Sequence, residues 1–570
     1  MKAFTLRKGK LIALLSTGLL LAAIAAYGQV VNGIIVGTVT DTSGAVIPQA
    51  KVTVTDIGTG VNRVLTTDSS GYYSVPNLPP GTYKVSAAKQ GFTTGVHTGV
   101  ALFAASTVRV DLTLPPGSVT QTVTVNAGIV PMLQTDTAHT GRTITAALVE
   151  QLPLTTGRNF QNLLNLIPGA GVAVRDHSLA FNPQNSMAST VDGNSSLGNL
   201  FNSEGINDHE RSTLLQMYFT AAEAIQEVSI TASNYDPAQG TALGAVTNVI
   251  LKSGTNAFHG EAYEFYQSSS LNARSFFELG PNGAPFHVPH LVDNYYGGNV
   301  GGPIQKGKTF FFVDYLQRAT REGEALQLSV PTAAMRNGDF SDPALTPVFD
   351  PTTGDTADCL GLSGGNSKLC GTGRQQFANN IIPANRLDPV AAKILSNVAL
   401  PNTNQTAPGN AKYVSNLVTS SEFIQNTPDL DVKIDRYQGQ KDHISGRFSY
   451  TKPTLDQPGL YGAYGGPISG GGISGLEGTG SQKTYSTGIN WVHVFSPTLV
   501  SEARIGLSRW FNVAYGTGYG QDLSTEVGIP GASINKYTSG VVGISGEGFS
   551  DPFVGTESDL PWTRAGDNIE

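Results

Sequence analysis

The chain has 570 residues, a formal net charge of −8 and two cysteines. That length asks for several domains, the acidic balance argues against nucleic acid as a partner, and two thiols exclude a disulfide framework as what holds the fold together. Charged residues make up 14% and hydrophobic residues 39%: the first is well below the roughly 25% charge of ordinary soluble proteins, and the second leaves no room for a helical membrane bundle.

The first 28 residues read as an address. Lys2, Arg7, Lys8 and Lys10 precede the apolar run Leu11 to Ala26, and Ala26-Tyr27-Gly28 puts small residues where a signal peptidase reads. This is the pattern of a secretory signal peptide (residues 1–28), with a mature chain from about Gln29. A membrane anchor is the poorer reading, because the run is short for a span. No later stretch reaches the roughly 18 apolar residues of a spanning helix, so a membrane location requires a closed barrel.

Residues 33–115 hold short alternating strands between turns. Asp41-Thr42-Ser43-Gly44, Asp68-Ser69-Ser70-Gly71 and Leu78-Pro79-Pro80-Gly81 punctuate them, which predicts a β-sandwich of about seven strands. The motifs Gly37 to Val52 and Asp68 to Tyr83 resemble the carboxypeptidase regulatory-like domain. That name implies no peptidase activity here, since His97 is the region's single histidine. Asp41 and Asp68 could be calcium ligands, but each more naturally caps its own turn.

Pro115-Pro116-Gly117 marks a linker, and 116–128 carries an extended Val/Thr segment. Its residues Thr120, Gln121, Thr122, Val123, Thr124 and Val125 have strand propensity without an evident partner. They resemble a TonB box, the stretch such receptors offer to the TonB protein by β-augmentation. The segment alone is equally well another sandwich strand or a linker; the plug-like region directly after it in the chain favours the box. Residues 129–256 resemble a plug domain. Leu148 to Leu154 predicts a short helix stopped at Pro153. Phe160, Leu163, Leu164 and Ile167 fall at helical spacing and predict one amphipathic helix ended by Pro168-Gly169. Ser203-Glu204-Gly205-Ile206-Asn207-Asp208 stands where the family has a turn with Asp in place of Glu204. His209-Glu210 lacks the second histidine of a zinc motif and reads as solvated loop.

The apolar run Val246 to Leu251 predicts a buried strand, and after the Gly-rich turn Lys252 to Asn256 the character changes. Tyr263 and Phe265 alternate with Ala262 and Glu264 as in a strand with two unlike faces. This junction resembles the step from plug to barrel in TonB-dependent outer-membrane receptors of the Oar-like group. Residues 257–570 test that resemblance. Strands are expected at Tyr263–Phe265, 295–304, 309–318, 431–436, around Ile444–Thr451, 485–495 and from Leu499, with long and short connections in strict alternation, as in a barrel inserted from one side. Arg447, Glu502 and Arg504 then face the lumen, since a charge at the lipid midplane costs about 2–4 kcal/mol. Low charge, many glycines and aromatic-bearing strands suit such a barrel, and they also suit a secreted β-sandwich protein.

The expected fold is therefore mostly β: an N-terminal β-sandwich, a small α+β plug (129–256), and an incomplete antiparallel barrel (257–570) with about 7–8 of an expected 22 or so strands. The chain reads as the N-terminal part of a longer protein. Cys359 and Cys370 have ten residues between them. In an exported protein they suggest a loop-closing disulfide, worth roughly 3 kcal/mol in the chain-entropy model. No metal set, nucleophile motif, P-loop or dinucleotide fingerprint is present, so no enzyme and no cofactor are expected. The resemblance implies an outer-membrane transporter of an unidentified solute, with the TonB energy-transducing complex and outer-membrane lipid as partners and the first two domains facing the periplasm. The alternative is a surface adhesion or carbohydrate-binding protein built of β-domains.

Overall fold

In the computed structural model, residues 32–118, 122–126, 140–152, 154, 158–175, 186–194, 199–209, 216–232, 242–273, 290–354, 373–465, 478–496, 499–536, 538–543 and 564–569 are described. The signal-peptide region, Thr120, Gln121, Cys359 and Cys370 lie outside them.

Alternation and tight turns build the first unit. Its strands are β1 (Gly33–Asp41), β2 (Lys51–Asp56), β3 (Asn62–Thr66), β4 (Tyr72–Leu78), β5 (Gly81–Ala88), β6 (Thr94–Leu102), β7 (Thr107–Arg109) and β8 (Leu112–Leu114). One sheet runs β4-β1-β7, with β8 also on β1; the other contains β3-β2-β5-β6. Their inner faces meet in a core that includes Ile35, Val39, Val52, Tyr73, Val85 and Leu112. The two turn aspartates are engaged by their own turns. Asp41 accepts from the Ser43 and Ala45 amides at 2.8 and 3.0 Å, and Asp68 from those of Ser70 and Tyr72 at 2.8 and 3.0 Å. The Ser43 and Ser70 hydroxyls, first among these bonds, hold both carboxyls below their ordinary range.

The Val/Thr segment, without an evident partner in the sequence, has one over its described residues. It forms β9 (Thr122–Asn126), which pairs in parallel with β6 from Thr94↔Thr122 to Thr98↔Asn126 and becomes the edge of the second sheet. Backbone donors and acceptors seek partners wherever an edge lies open, and β6 offers the nearest one.

The middle unit comprises β10 (Thr140–Thr145), a helix at Ala146–Gln151, a 3₁₀ helix at Phe160–Leu166, β11 (Val174–Arg175), β12 (Met187–Ala188), β13 (Leu200–Ser203), β14 (Ile206–Asn207), β15 (Ile225–Ala232) and β16 (Ala245–Leu251). Its sheet runs β10-β15-β16-β13-β14. Phe160, Leu163, Leu164 and Ile167 are all buried against Val228, Ile230 and Val249, as their spacing predicts. The helix they ride on is 3₁₀, not α. It has seven residues between the Asn159 cap and the Ile167-Pro168 stop, and Gln161 is pinned by bonds to the Met187 backbone at 2.7 and 3.2 Å; so short a piece tolerates the tighter winding. The Glu204-Gly205 turn is a two-residue hairpin with both residues at positive φ, 52° and 70°, the twist-matched geometry for such a loop.

The last unit is a single antiparallel sheet. Its strands are β17 (His259–Ser268), β18 (Leu291–Gln305), β19 (Thr309–Leu328), β20 (Leu417–Gln438), β21 (Asp442–Thr451), β22 (Thr454–Gln457), β23 (Gly478–Ser496), β24 (Leu499–Gly516) and β25 (Arg564–Ile569). Their order is β17-β18-β19-β20-β21-β23-β24-β25, with short β22 bridging β20 and β23. β17 and β25 are the two ends of an unclosed sheet among the described residues. Connections at 306–308 and 439–441 are short and lie at one end, two residues separate β23 from β24, and, apart from the step at 452–453 into short β22, the others are long. Ile444 and Phe448 point outward while His443, Arg447, Ser449 and Thr451 are buried inward. Two strands run further than the greasy alternation indicates: β19 has 20 residues and β20 has 22. Their added length, 319–328 against 417–426, lacks a continuous apolar face and is held by backbone pairing. At the long-loop end, Ile394, Leu523, Val527 and Val541, with Tyr461 and Tyr464 packed against them, gather three connections into one small core.

Candidate functional site

The middle unit lies against the inner face of the sheet through several polar groups and one apolar cluster, in which Ala221, Ala224 and Leu251 pack on Tyr295, Phe312 and Leu316. The first group surrounds Arg158, a non-glycine residue at φ 57°. Its guanidinium stands 4.0 Å over the Phe265 ring and reaches Glu223 at 2.7 Å. Glu223 is 2% exposed and also accepts from the Tyr295 hydroxyl at 2.8 Å. Tyr295 in turn accepts from the Ala222 amide at 3.3 Å, and Asn299 donates to the Glu223 carbonyl at 3.3 Å. This ties the start of β15 to β17 and β18.

A second group centres on Tyr218, whose hydroxyl donates to Asp431 on β20. Ser449 donates to the same carboxylate at 2.6 Å. Arg447 lies 5.8 Å from the Tyr218 ring centre and donates to Ser449 and Ser486 at 3.1 and 3.0 Å. Gln482 and Thr484 on β23 donate to the Met217 carbonyl at 2.9 and 2.7 Å.

The third group holds the β13–β14 hairpin tip. Glu204 accepts from Lys433 at 2.8 Å and from the Leu251 amide at 2.8 Å. Arg504 donates to the Gly205 carbonyl at 3.1 Å. Ile206 enters a notch made by Gly488 and Gly506, which are direct partners across β23 and β24. A Cβ on Gly488 would fall 1.9 Å from the Ile206 side chain, and one on Gly506 2.7 Å from it. At the exit from β16, Ser253 donates to Asp435 at 2.5 Å, His443 bonds Asp435 at 3.1 Å, and Lys252 pairs with Glu150 and Glu261 at 2.8 and 3.2 Å. Burial alone would lower the Lys252 pKa; the two carboxylates raise it.

The sandwich joins this assembly at the short-turn end. Arg63 donates to the Gln440 carbonyl, Gln440 donates to Asn62 at 3.1 Å, and the Asn256 amide donates to the Gly58 carbonyl at 3.0 Å. The Ala104 amide donates to Glu227 of β15 at 2.5 Å. Burial pushes the Glu227 carboxyl up to about 8, against the stabilising Ala104 bond. A cavity of about 360 Å³ lies where all three units meet, lined by Asp56, Glu204, Lys433, Asp435 and His443 among others. Burial raises the Asp56 carboxyl despite bonds from the Thr59 and Gly58 amides.

Of the residues singled out in the sequence, Arg447 and Arg504 are on the lumen face as expected, and both touch or face the middle unit. Glu502 pairs with Arg504 beside them. Thr122 to Val125 sit on the sandwich edge, remote in sequence from this seam. His209 is not a solvated loop residue: it is 6% exposed and packs edge-on to Phe201 at 5.1 Å. Glu204, Lys433, Arg158 and Ile206 are functional contacts the sequence reading missed. The signal for one was present, since Asp431, Lys433 and Asp435 recur at every second position of a strand. Glu204, read from the sequence only as a turn residue, reaches Lys433 with its carboxylate.

Residues 250–570 match the profile of the outer membrane β-barrel domain, and residues 34–115 that of the carboxypeptidase regulatory-like domain. The chain belongs to the outer membrane β-barrel family. It is similar to the TonB-dependent transporter Oar of Myxococcus xanthus, 25% identical over 319 residues, which are 54% of this chain and 29% of that one. Among solved structures, it is similar to the ferric enterobactin receptor of Pseudomonas aeruginosa (11% identity, TM-score 0.36, 68% of this chain and 43% of that chain). It is also similar to FpvA of P. aeruginosa bound to heterologous pyoverdines (14% identity, TM-score 0.36, 76% and 48%). The chain thus spans less than half the length of these barrel-family relatives. Its sheet turns exposed Ile489, Ile505 and Leu507 outward while Arg447, Lys433 and Asp431 are turned inward.

Proposed function

We propose that this protein is a TonB-dependent outer-membrane receptor that takes up an unidentified solute, and that the middle unit is its plug. The observation that carries this reading is the seam: a small domain with its own apolar core is held inside a membrane-type sheet by many hydrogen bonds and ion pairs around one small apolar cluster. Bonds of that kind contribute only about 0.5–1.5 kcal/mol each net, because water can replace them. A domain that must leave and return is best held this way. In a water-filled lumen each donor and acceptor freed by the movement is resolvated, whereas an apolar seam would expose grease at every excursion.

On this reading the short turns, the sandwich and the plug face the periplasm, and the outward apolar residues contact outer-membrane lipid. The TonB complex pairs with the Thr120 to Val125 segment, and traction on it draws first on β10, the edge strand of the plug sheet. The long loops, gathered by the Ile394–Leu523–Val541 core, meet the solute. Fractionation of cells making the complete gene product tests this. The expected result is an outer-membrane band whose migration shifts on boiling, together with loss of uptake when residues 120–125 are deleted. A released, soluble product would sink the receptor reading and favour a surface adhesion or carbohydrate-binding role.

A further inference from the structure

The sandwich and the rim of the barrel sheet enclose a second cavity, of about 190 Å³. β3, the last strand of its sheet, reaches the turn between β20 and β21 there through Asn62 and Arg63 on Gln440. Arg63, Val64 and Leu65 line the cavity from the sandwich, and Lys441, Val494 and Phe495 line it from the barrel, among others. It is smaller than the roughly 300–1,000 Å³ of sites that enclose a drug-sized ligand, so it suits a compact group whose remainder lies outside.

One part of the lining is cationic. Half-buried Arg63 donates to the Gln440 carbonyl, and Lys441 is exposed. Among the described residues neither is paired with a carboxylate. Asp442, the carboxylate that acts on Arg63, is engaged by His493 at 2.7 Å and by the Trp491 indole at 3.0 Å. Burial pulls the Arg63 guanidinium below its ordinary range, and a cation drawn from water without an adjacent carboxylate favours an anion beside it. The other part is apolar and continues onto the outer face of the sheet. Phe495 lines the cavity and is also exposed. It follows Trp491 and His493 at alternate positions of β23, with ring centres 5.9 and 4.3 Å apart along the row, and exposed Ile489 precedes them on the same face. Aromatic rings that end an outward apolar face mark the interfacial level of a barrel strand. The cavity therefore lies at the height of lipid headgroups.

We propose that this cavity holds the phosphate headgroup of an anionic glycerophospholipid from the leaflet at the short-turn end, with Arg63 and Lys441 on the phosphate and Val64 and Phe495 beside the first acyl carbons. One lipid then joins the sandwich to the barrel rim. This rests on the membrane location of the sheet under the proposed function, and not on transport. A lipid uses the apolar wall, which free phosphate does not. A zwitterionic lipid brings a cation of its own toward Arg63 and Lys441, which repel it.

Native mass spectrometry of the complete gene product in neutral detergent tests this, with phosphatidylglycerol, phosphatidylcholine and inorganic phosphate as separate probes. One phosphatidylglycerol should stay bound under activation that strips phosphatidylcholine, and inorganic phosphate should not displace it. Lys441→Gln should weaken retention about fivefold and Arg63→Gln/Lys441→Gln about thirtyfold, as for one and two cations at an anionic lipid surface. Arg63 also ties the sandwich to Gln440, so Lys441→Glu, at a side chain with no bond among the described residues, is the cleaner variant and should abolish the selective retention. Equal retention by the native protein and Lys441→Glu, or equal retention of the two lipids, overturns the site. Phosphate that competes with the lipid reduces the cavity to an anion site and overturns the lipid. The boiling-sensitive outer-membrane band separates the two failures: present without a retained lipid, it leaves the receptor reading standing, and absent, it removes the membrane and the lipid site together.

Discussion

Inside the sandwich, Tyr73, Val85 and Leu112 pack against apolar neighbours. Between the middle unit and the barrel wall, beside one small apolar cluster, Glu223, Tyr218, Asp431, Lys433 and Arg447 are also buried, and each has a hydrogen-bond or ion-pair partner. Both regions exclude water; they differ in what their separation would cost. Parting apolar faces loses about 25 cal/mol for every Å² exposed, with nothing in water to compensate. Parting polar partners in an aqueous lumen exchanges one set of hydrogen bonds for another. On the proposed function, the difference separates a domain built to stay folded from an interface built to be reopened.

The comparison breaks most visibly in the sandwich. Tyr73→Ala removes a ring that is 2% exposed and whose hydroxyl donates to the Val110 carbonyl at 2.6 Å. It should cost about 3–5 kcal/mol, seen as an early melting transition confined to residues 33–115 by amide exchange. Gly506→Ala should cost less, about 1–3 kcal/mol of overpacking, and should loosen the 200–207 hairpin without touching the sandwich. Adding Ile206→Ala should restore most of the loss, and failure of that rescue would mean the notch is not a contact. Tyr295→Phe leaves Glu223 short of one bond, a loss of about 1–3 kcal/mol, with faster exchange expected at Ala222 to Ala224.

A further effect is one of pH. Burial holds the Glu227 carboxyl at about 8 in the native contact, against an ordinary value of 4.5. The unfolded or undocked state therefore ionises first as pH rises, and the contribution of this contact declines from about pH 4.5 to about pH 8. Glu227→Gln should flatten that slope in a melt of the native protein. An unchanged slope would place the titration elsewhere.

Much of this was readable from the sequence, for reasons that particular strands make plain. β21 and β24 pair one face with lipid and one with the lumen, so their residues alternate and their register declares itself. The inner helix of the middle unit was placed correctly by Phe160, Leu163, Leu164 and Ile167, although a seven-residue 3₁₀ piece and an α-helix bury nearly the same positions. The polar extensions of β19 and β20 were invisible because neither face must be apolar beyond the membrane span. The partner of β9 was invisible for a different reason. A Val/Thr strand pairs through its backbone, and nothing in its own sequence states which edge will receive it. His209 looked like a loop residue because only the fold brings Phe201 to its ring.

The glycine notch has a consequence for how the barrel is made. Gly488 and Gly506 face each other only when β23 and β24 are paired in one register. A slip by a single residue would turn a bulky side chain such as Ile489 or Ile505 inward and fill the space Ile206 needs. The hairpin tip is thus a gauge that fits only a correctly aligned pair of strands. A misaligned sheet could not seat the middle unit fully, and an unseated middle unit would leave that error exposed to whatever machinery inspects unfinished membrane proteins.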